Sequence, residues 1–288
     1  MRLREKVIEA LLLTCASIAI LIVFGIVLML FTEGIPIFHK VSLWDFIFGK
    51  NWYPTSSPPD FGILPLLVGS AVITLGALIV GVPLGLGSAI YLSQIASPRA
   101  REFLKPILEI LASIPSVVYG FFGMAFFGPL VMNVLSVPVG LNAFTASVIL
   151  GVMIVPTVAS VAEDAMSSVP RDLIEASYAL GATRWRTIVK IVMPTASSGI
   201  ITSVLLGLGR AVGETMTVLM VAGGSLQIPR SIFDPVRTMT ATIAAEMGEA
   251  PVGSSHYHAL FAIGMLLFFI TFAFNFLAER FAKRRIYL

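Results

Sequence analysis

Residues 170–194 read PRDLIEASYALGATRWRTIVKIVMP, a polar block set between two long apolar stretches. Pro170 sits where a first helical turn tolerates proline, and Asp172 and Glu175 put negative charge near the helix start. Gly181 is placed to end that helix in a left-handed turn, and a second short helix is expected from about Thr183. The first helix carries Leu173, Ala176, Ser177 and Leu180 on one face, a shallow apolar ridge of small side chains that fits a groove of another protein. The same pattern suits an amphipathic helix lying on a membrane equally well. Because the block closes on Pro194 at the mouth of the next hydrophobic stretch, it can stand in water between two spans as a docking surface.

What surrounds the block is too apolar for water. Of 288 residues, 57% are hydrophobic and 12% charged, with a mean hydropathy of +0.94, whereas soluble domains carry about 25% charged residues. The chain therefore reads as an all-α integral membrane protein. Cys15 is the only cysteine, which excludes intrachain disulfides and cysteine metal clusters. The net charge of +3 is small and carries no argument for nucleic acid.

Six stretches approach the roughly 20 residues needed to cross a bilayer, at about 9–31, 66–94, 104–128, 142–162, 197–222 and 257–278. The first follows Arg2, Arg4 and Lys6 as a signal peptide would, but its apolar run is longer than a signal h-region, so it is read as retained. The longer loops are 32–65 and 223–256, and 129–141 is a short one without charge. The division expected is 1–65, an N-terminal transmembrane helix with its external loop, and 66–288, a transmembrane domain whose polar loop covers 163–194.

Basic residues set the orientation. Fourteen of the nineteen fall in the N-terminal tail, the 95–105 connection, the 170–190 block and the C-terminal tail, against four in the alternate loops, Lys40, Lys50, Arg230 and Arg237. The positive-inside rule then puts both termini and the polar block in the cytoplasm. Trp44, Trp52 and Tyr53 suit either an interfacial aromatic belt or a packed external loop.

The remaining basic residue lies within a span. Arg210 falls near the middle of the fifth, in Gly207-Leu208-Gly209-Arg210-Ala211-Val212-Gly213-Glu214-Thr215, and each charge at such a depth costs about 2.5–3.5 kcal/mol on insertion scales. Arg before Glu at i,i+4 is the weaker orientation for helix stability, which argues against a pair kept only for the helix. A guanidinium presents a planar fork that matches phosphate oxygens, and a nearby carboxylate can orient the fork or compete for it. A salt bridge to another helix or subunit is the structural alternative. Gly207, Gly209 and Gly213 are read as packing positions for a neighbouring helix.

Glu175-Ala176-Ser177, Gly181, Ile191 and Pro194 resemble the EAA loop of the membrane subunits of bacterial ABC importers, departing at Ser177, where a second alanine is usual, and at Met193, where leucine is. Ile114-Pro115-Ser116-Val117-Val118-Tyr119-Gly120, Glu163-Asp164-Ala165, Ala179 to Trp185, Gly209 to Met216, and Arg237 to Ile243 through His256-Tyr257-His258 narrow the likeness. From about residue 62 onward the chain is similar to phosphate ABC transporter permeases of the PstC type, with the sister PstA type alike through the Arg and EAA regions. The resemblance implies a MetI-like core with six transmembrane helices, a heterodimer with a PstA-type permease, a dimer of PstB-type ATPase and an external phosphate-binding protein of the PstS type. It places Arg210, Glu214, Thr215 and Ser116 on the substrate path, and Glu175, Ala176, Ser177 and Gly181 at the ATPase.

No lysine is preceded by glycine and followed by Ser or Thr, so a P-loop is absent and ATP hydrolysis is assigned to a partner. No cofactor is expected. His256 and His258 are read as loop structure rather than metal ligands. Pro115 and Pro156 are expected to kink their spans and free backbone carbonyls, with Ser113, Ser116, Thr157 and Ser160 satisfying those groups or lining the path. A permease for sulfate or molybdate would share the EAA block. An intramembrane hydrolase would need a nucleophile and base within the spans, and a passive channel or scaffold would need neither ATP nor a binding protein.

Overall fold

The computed structural model describes residues 2–284, with side chains over 5–276; the side chains of Arg2, Arg4, Arg280, Lys283 and Arg284, and Arg285 altogether, lie outside it. About three quarters of the chain is helix. In order come α1 (Arg2–Gly34), a 3-10 turn, α2 (Leu43–Phe48), the two-residue strands β1 (Trp52–Tyr53) and β2 (Asp60–Phe61), α3 (Leu64–Ile90), α4 (Pro98–Ser113), α5 (Ser116–Phe122), α6 (Gly128–Leu135) and α7 (Ala143–Ser167). There follow α8 (Arg171–Ala179), α9 (Arg184–Thr187), α10 (Met193–Thr195), α11 (Ser197–Gly213), α12 (Met216–Val221), α13 (Met239–Glu246) and α14 (Ser255–Arg284). The strands pair antiparallel, Trp52 opposite Phe61. Among the described residues, five helical stretches are long and apolar enough to cross a membrane, and a sixth candidate is Arg184–Thr195 joined to α11 across a 73° bend.

Two spans differ from the sequence expectation. The third, expected at 104–128, runs instead over Ser116–Leu135, so most of the supposed loop 129–141 is helical. The stretch before it is α4, whose charges at Arg99, Arg101, Glu102, Lys105 and Glu109 make it a separate amphipathic helix with no buried residue. Ile114 and Pro115 are both extended because a proline ring disfavours helical geometry in the residue before it. The apolar run continues across this break, so hydropathy alone cannot see it. The fifth span, expected at 197–222, stops at Gly213 and resumes only at Met216.

Close contact between α3 and α7 organises the bundle. A Cβ on Gly85 would stand 2.7 Å from Val158 Cβ, and one on Gly151 would stand 2.8 Å from Val80 Cβ. Side-chain-free positions on both helices thus let their backbones approach, the usual route to packing where lipid offers no hydrophobic contrast. The buried cluster of Ile73, Ala77, Leu150, Met153 and Ile154 extends from this contact to Ala211, Val218 and Val221. A second cluster joins the 35–63 loop to α14 through Ile37, Phe46, Trp52 and Leu260. The third, Ala89, Ala162, Met166 and Val192, lies where α3 and α7 reach the polar block. By contrast α1 is exposed along its apolar length. Near its end it meets α14, with Phe31 edge-on to Phe268 and Phe269.

A pair of neighbouring glycines tests this packing. Gly85→Val should overpack the α3–α7 contact by about 1–3 kcal/mol and lower the thermal unfolding midpoint of the detergent-solubilised chain by several degrees. Gly87→Val, where an added Cβ meets nothing within 4 Å, should leave the midpoint unchanged. Equal midpoints for the two variants would contradict the close contact.

Candidate functional site

The break between α11 and α12 positions the intramembrane charges. Arg210 lies in the last turn of α11, while Glu214 is extended, at φ −70° and ψ 129°. The helix therefore ends before the i,i+4 pair can close, and among the described residues Arg210 has no carboxylate within ion-pair distance. The Glu214 carboxylate is engaged elsewhere, accepting the Thr217 N–H at 3.0 Å, and so caps the short α12. Arg210 is exposed on an open face of the chain, with Thr215 half-buried beside the break. Gly209 and Gly213 are also open, an added Cβ on either meeting nothing within 4 Å, whereas Gly207 packs on Val158 as expected.

Ser116 joins this region through its backbone. Its carbonyl accepts from Thr217 Oγ1 at 2.9 Å, tying the break at 114–115 to the one at 214–215. Tyr119 Oη donates to the Leu111 carbonyl at 2.9 Å, and Ser113 Oγ donates to Ile110 O at 2.7 Å. The backbone freed at Pro115 is thus answered by hydroxyls, as anticipated for Ser113, but by Tyr119 and Thr217 rather than by Ser116.

The polar block forms the two helices expected, α8 and α9, with Gly181 at φ +78° between them and Thr183 capping α9 through Arg186 N–H at 3.4 Å. Leu173, Glu175, Ala176 and Leu180 are exposed, Leu180 to 90%. Ser177 departs from the expected ridge. It turns inward, its hydroxyl 2.9 Å from that of Thr187, and joins α8 to α9. A cavity of about 430 Å³ opens among Leu173, Ala176, Gly181, Arg186, Lys190 and Ile191. Arg184 donates to the carbonyls of Gln94 and Ile95 at the end of the α3 span, so the block is tied to a membrane helix besides its own neighbours.

Two ionic clusters went unassigned by the sequence. Where α7 meets α4, Glu163 is 1% exposed and receives Arg101 and, at 2.8 Å, Lys105; Lys105 also reaches Asp164 at 3.2 Å. The hydrogen bond to Glu163 favours the ammonium form and raises Lys105 above the ordinary lysine pKa, against the lowering effect of burial. This contribution is full below the unfolded lysine value and is lost only as pH rises through the raised one. At the opposite end of the bundle, Glu246 receives Arg237 at 2.8 Å, Trp52 Nε1 at 3.0 Å and His256 at 2.9 Å. Trp52 is fully buried there, while Trp44 stacks on Phe48 and is exposed. His258 bonds the Glu33 carbonyl at 2.8 Å, so the two histidines face different carboxylate residues, and no group of three potential ligands occurs among the described residues.

Residues 81–287 match the model of the family described as binding-protein-dependent transport system inner membrane component. The chain belongs to this family. The permease is 38% identical, over 96% of its length and 88% of the relative, to the probable ABC transporter permease protein YqgH of Bacillus subtilis. It is 34% identical to the phosphate transport system permease protein PstC of Pasteurella multocida, over 79% of this chain and 76% of that one. Among solved structures it is similar to a chain of the bacterial alginate ABC transporter in complex with an alginate pentasaccharide-bound periplasmic protein, with a TM-score of 0.69, 14% identity, and 98% and 95% of the two chains covered. A chain of the inward-facing MetNI methionine ABC transporter gives 0.57 at 22% identity, covering 77% of this chain and 94% of that one. These likenesses establish the fold, the mostly helical one of ABC importer permeases, as the sequence reading expects.

The Glu163 cluster offers a test within this permease fold. Glu163→Gln removes the buried negative charge shared by two cations that are themselves 40% and 36% exposed. Solvent moderates the loss to about 1–3 kcal/mol, read as a lower unfolding midpoint in detergent. Asp164, 65% exposed, should tolerate Asp164→Asn within about 0.5 kcal/mol. The reverse order of effects would remove Glu163 from the structural role.

Proposed function

We propose that this chain is one of two permease subunits of an ATP-driven importer of inorganic phosphate in a bacterial cell membrane, and that the anion passes beside Arg210. The observation that carries the proposal is a guanidinium at the end of an intramembrane helix, on an open face, without a carboxylate partner among the described residues. Such a charge requires a counter-charge or water, and its fork suits a phosphate oxyanion. The relatives named for phosphate transport support that choice of anion. Glu214, Thr215 and Ser116 complete the proposed path. Glu214 acts by capping α12 at the break, which leaves the Arg210 fork for the anion.

The partners follow from the same reading. A second permease of the PstA type covers the open face, a PstB-type ATPase dimer docks on the 430 Å³ cavity beside Glu175, Ala176, Ser177 and Gly181, and a PstS-type binding protein delivers phosphate at the other end. The excess of basic residues at the α4 and α8 end puts that end and both termini in the cytoplasm. The division at residue 65, with the permease domain over 66–288 and the EAA loop within 163–194, is retained in this proposal. Alternating access is required, since an open basic pore would leak anions.

Uptake in vesicles reconstituted with the ATPase and binding protein tests the path. Arg210→Lys keeps charge but loses the fork, so phosphate uptake per assembled complex should fall at least about tenfold, the worth of one charge-assisted hydrogen bond. Glu214→Gln keeps an acceptor for Thr217 and should assemble normally with altered uptake. Full recovery of uptake in the double variant Arg210→Gln, Glu214→Gln would sink the anion contact in favour of a structural Arg210–Glu214 ion pair, and equal competition by sulfate would redirect the substrate assignment.

The docking loop has its own test, in a Cys15→Ser background. A thiol introduced by Leu180→Cys should label in cells only after permeabilisation. Gly181→Leu forces a side chain into the φ +78° turn, which costs about 1–2 kcal/mol, and should reduce uptake and transport-coupled ATP hydrolysis while membrane insertion stays normal. Labelling of the Leu180 position in intact cells would overturn the orientation.

A further inference from the structure

We infer that α13 is a strut between the outer loops and the anion path, and that Thr240 is the positioning residue at its inner end. The inference rests on the path proposed at Arg210 and Glu214. Where α11 ends, the Glu214 carbonyl has lost its helical donor, and Thr240 Oγ1 supplies one at 2.8 Å from 26 residues away in the chain. No other described side chain donates to that carbonyl. The first turn of α13 is fixed independently: Thr238 caps it through Ala241 N–H at 3.3 Å, Met239 N–H is held by Ser70 Oγ at 3.0 Å, and the Thr238 and Thr240 hydroxyls lie 3.1 Å apart.

The other end of the same helix is Glu246, the acceptor on which Trp52, Arg237 and His256 converge. These three come from the 35–63 loop, the segment before α13 and the start of α14, so one carboxylate samples three separate parts of the loop surface. Eight residues of helix span about 12 Å. Met239, Ala241 and Thr242 are buried along that length, which leaves the helix little freedom to bend. A shift of the loops at Glu246 is therefore passed as a movement of the Thr240 hydroxyl, and with it the backbone that orients Glu214 and the end of α11. This gives the outer face a mechanical connection to the Arg210 fork without any residue of the strut touching the anion.

The experiment compares Thr240→Val, Thr240→Ser and Glu246→Gln in the full complex, in a Cys15→Ser background, by two measurements. One is phosphate uptake per assembled complex. The other is the labelling rate of a thiol introduced by Gly213→Cys, a position where an added side chain meets nothing within 4 Å. Thr240→Val deletes the donor and should lower uptake by about tenfold and change the labelling rate several-fold. Thr240→Ser keeps the donor and should restore both to within about twofold. Glu246→Gln, which removes the charge that holds Arg237, should shift both in the same direction as Thr240→Val. Its effects should be less than additive with Thr240→Val, because both act through one helix.

Wild-type labelling in both Thr240→Val and Glu246→Gln, or strict additivity of the pair, overturns the strut. Thr240→Ser behaving like Thr240→Val overturns it also, since shape rather than the hydroxyl would then matter. If the unsubstituted complex carries no phosphate while Thr240→Val and Glu246→Gln still alter labelling less than additively, the substrate assignment falls and the strut stands.

Discussion

Open backbone is the constraint on which this membrane fold turns. In hydrocarbon each unmade N–H or C=O bond costs several kilocalories per mole, so a helix can break inside a bilayer only where side chains answer the exposed groups. The permease breaks twice on one side of the bundle, at Ile114–Pro115 and at Glu214–Thr215, and both breaks are closed by hydroxyls. Tyr119 answers Leu111, Thr217 answers Ser116 and Thr240 answers Glu214. Because Thr217 belongs to the second break and bonds the first, the two are one structural unit. Irregular backbone with polar side chains then lies beside Arg210, and a site that handles an anion needs such a surface.

The rest of the chain holds that unit still. The α3–α7 contact is tight enough that single Cβ atoms would collide, and Met153 from α7 packs against Val218 and Val221 of α12 in one cluster. Toward the polar block the same α7 carries Glu163 and grips α4 through two cations. The amphipathic α4 has no buried residue of its own, so this ionic grip and the chain connection to α5 determine where it sits. Its last turn leads into the first break. Under the proposed function, movement of the docking block would reach the proposed path by two routes, directly up α11 and through α7 to α4, and Arg184 on Gln94 adds α3 to the first.

How much of this was legible in the sequence depended on the range of the interactions. The α8–Gly181–α9 turn was readable because caps, proline and a left-handed glycine act within a few residues. The fold class followed from hydropathy and the EAA spacing. A kink at Pro115 was expected from the proline, but not that the helix ends there, because the apolar run continues across Ile114–Pro115; the stop of α11 at Gly213 was not expected, because an Arg and a Glu four apart are compatible with an unbroken helix. Ser177 lines the same cavity as Leu173, Ala176 and Leu180, and that it is buried there was not readable, because its partner Thr187 lies ten residues away on the next helix. Glu163 is joined to residues 58 and 62 positions away, and Glu246 to Trp52 194 positions away besides Arg237 and His256 nine and ten away. Spacing says nothing about such pairs, although an acidic residue at the end of an apolar span was a usable signal for Glu163.

The open face itself constrains the assembly. Val117, Val118 and Phe121 are exposed on α5, as is most of α1, and any apolar helix or lipid chain can cover these without penalty. Arg210 cannot be covered that way, since a guanidinium against hydrocarbon costs about 2.5–3.5 kcal/mol even on the lenient insertion scales. Gly209 and Gly213 flank it with no side chain of their own, which leaves room on both sides of the fork. A partner subunit on this face must therefore meet apolar surface with apolar surface over α5, and meet Arg210 with water or a polar group. That mixed requirement is what a path between two permeases would impose, and a purely structural helix interface would be more stable with Arg210 replaced by leucine.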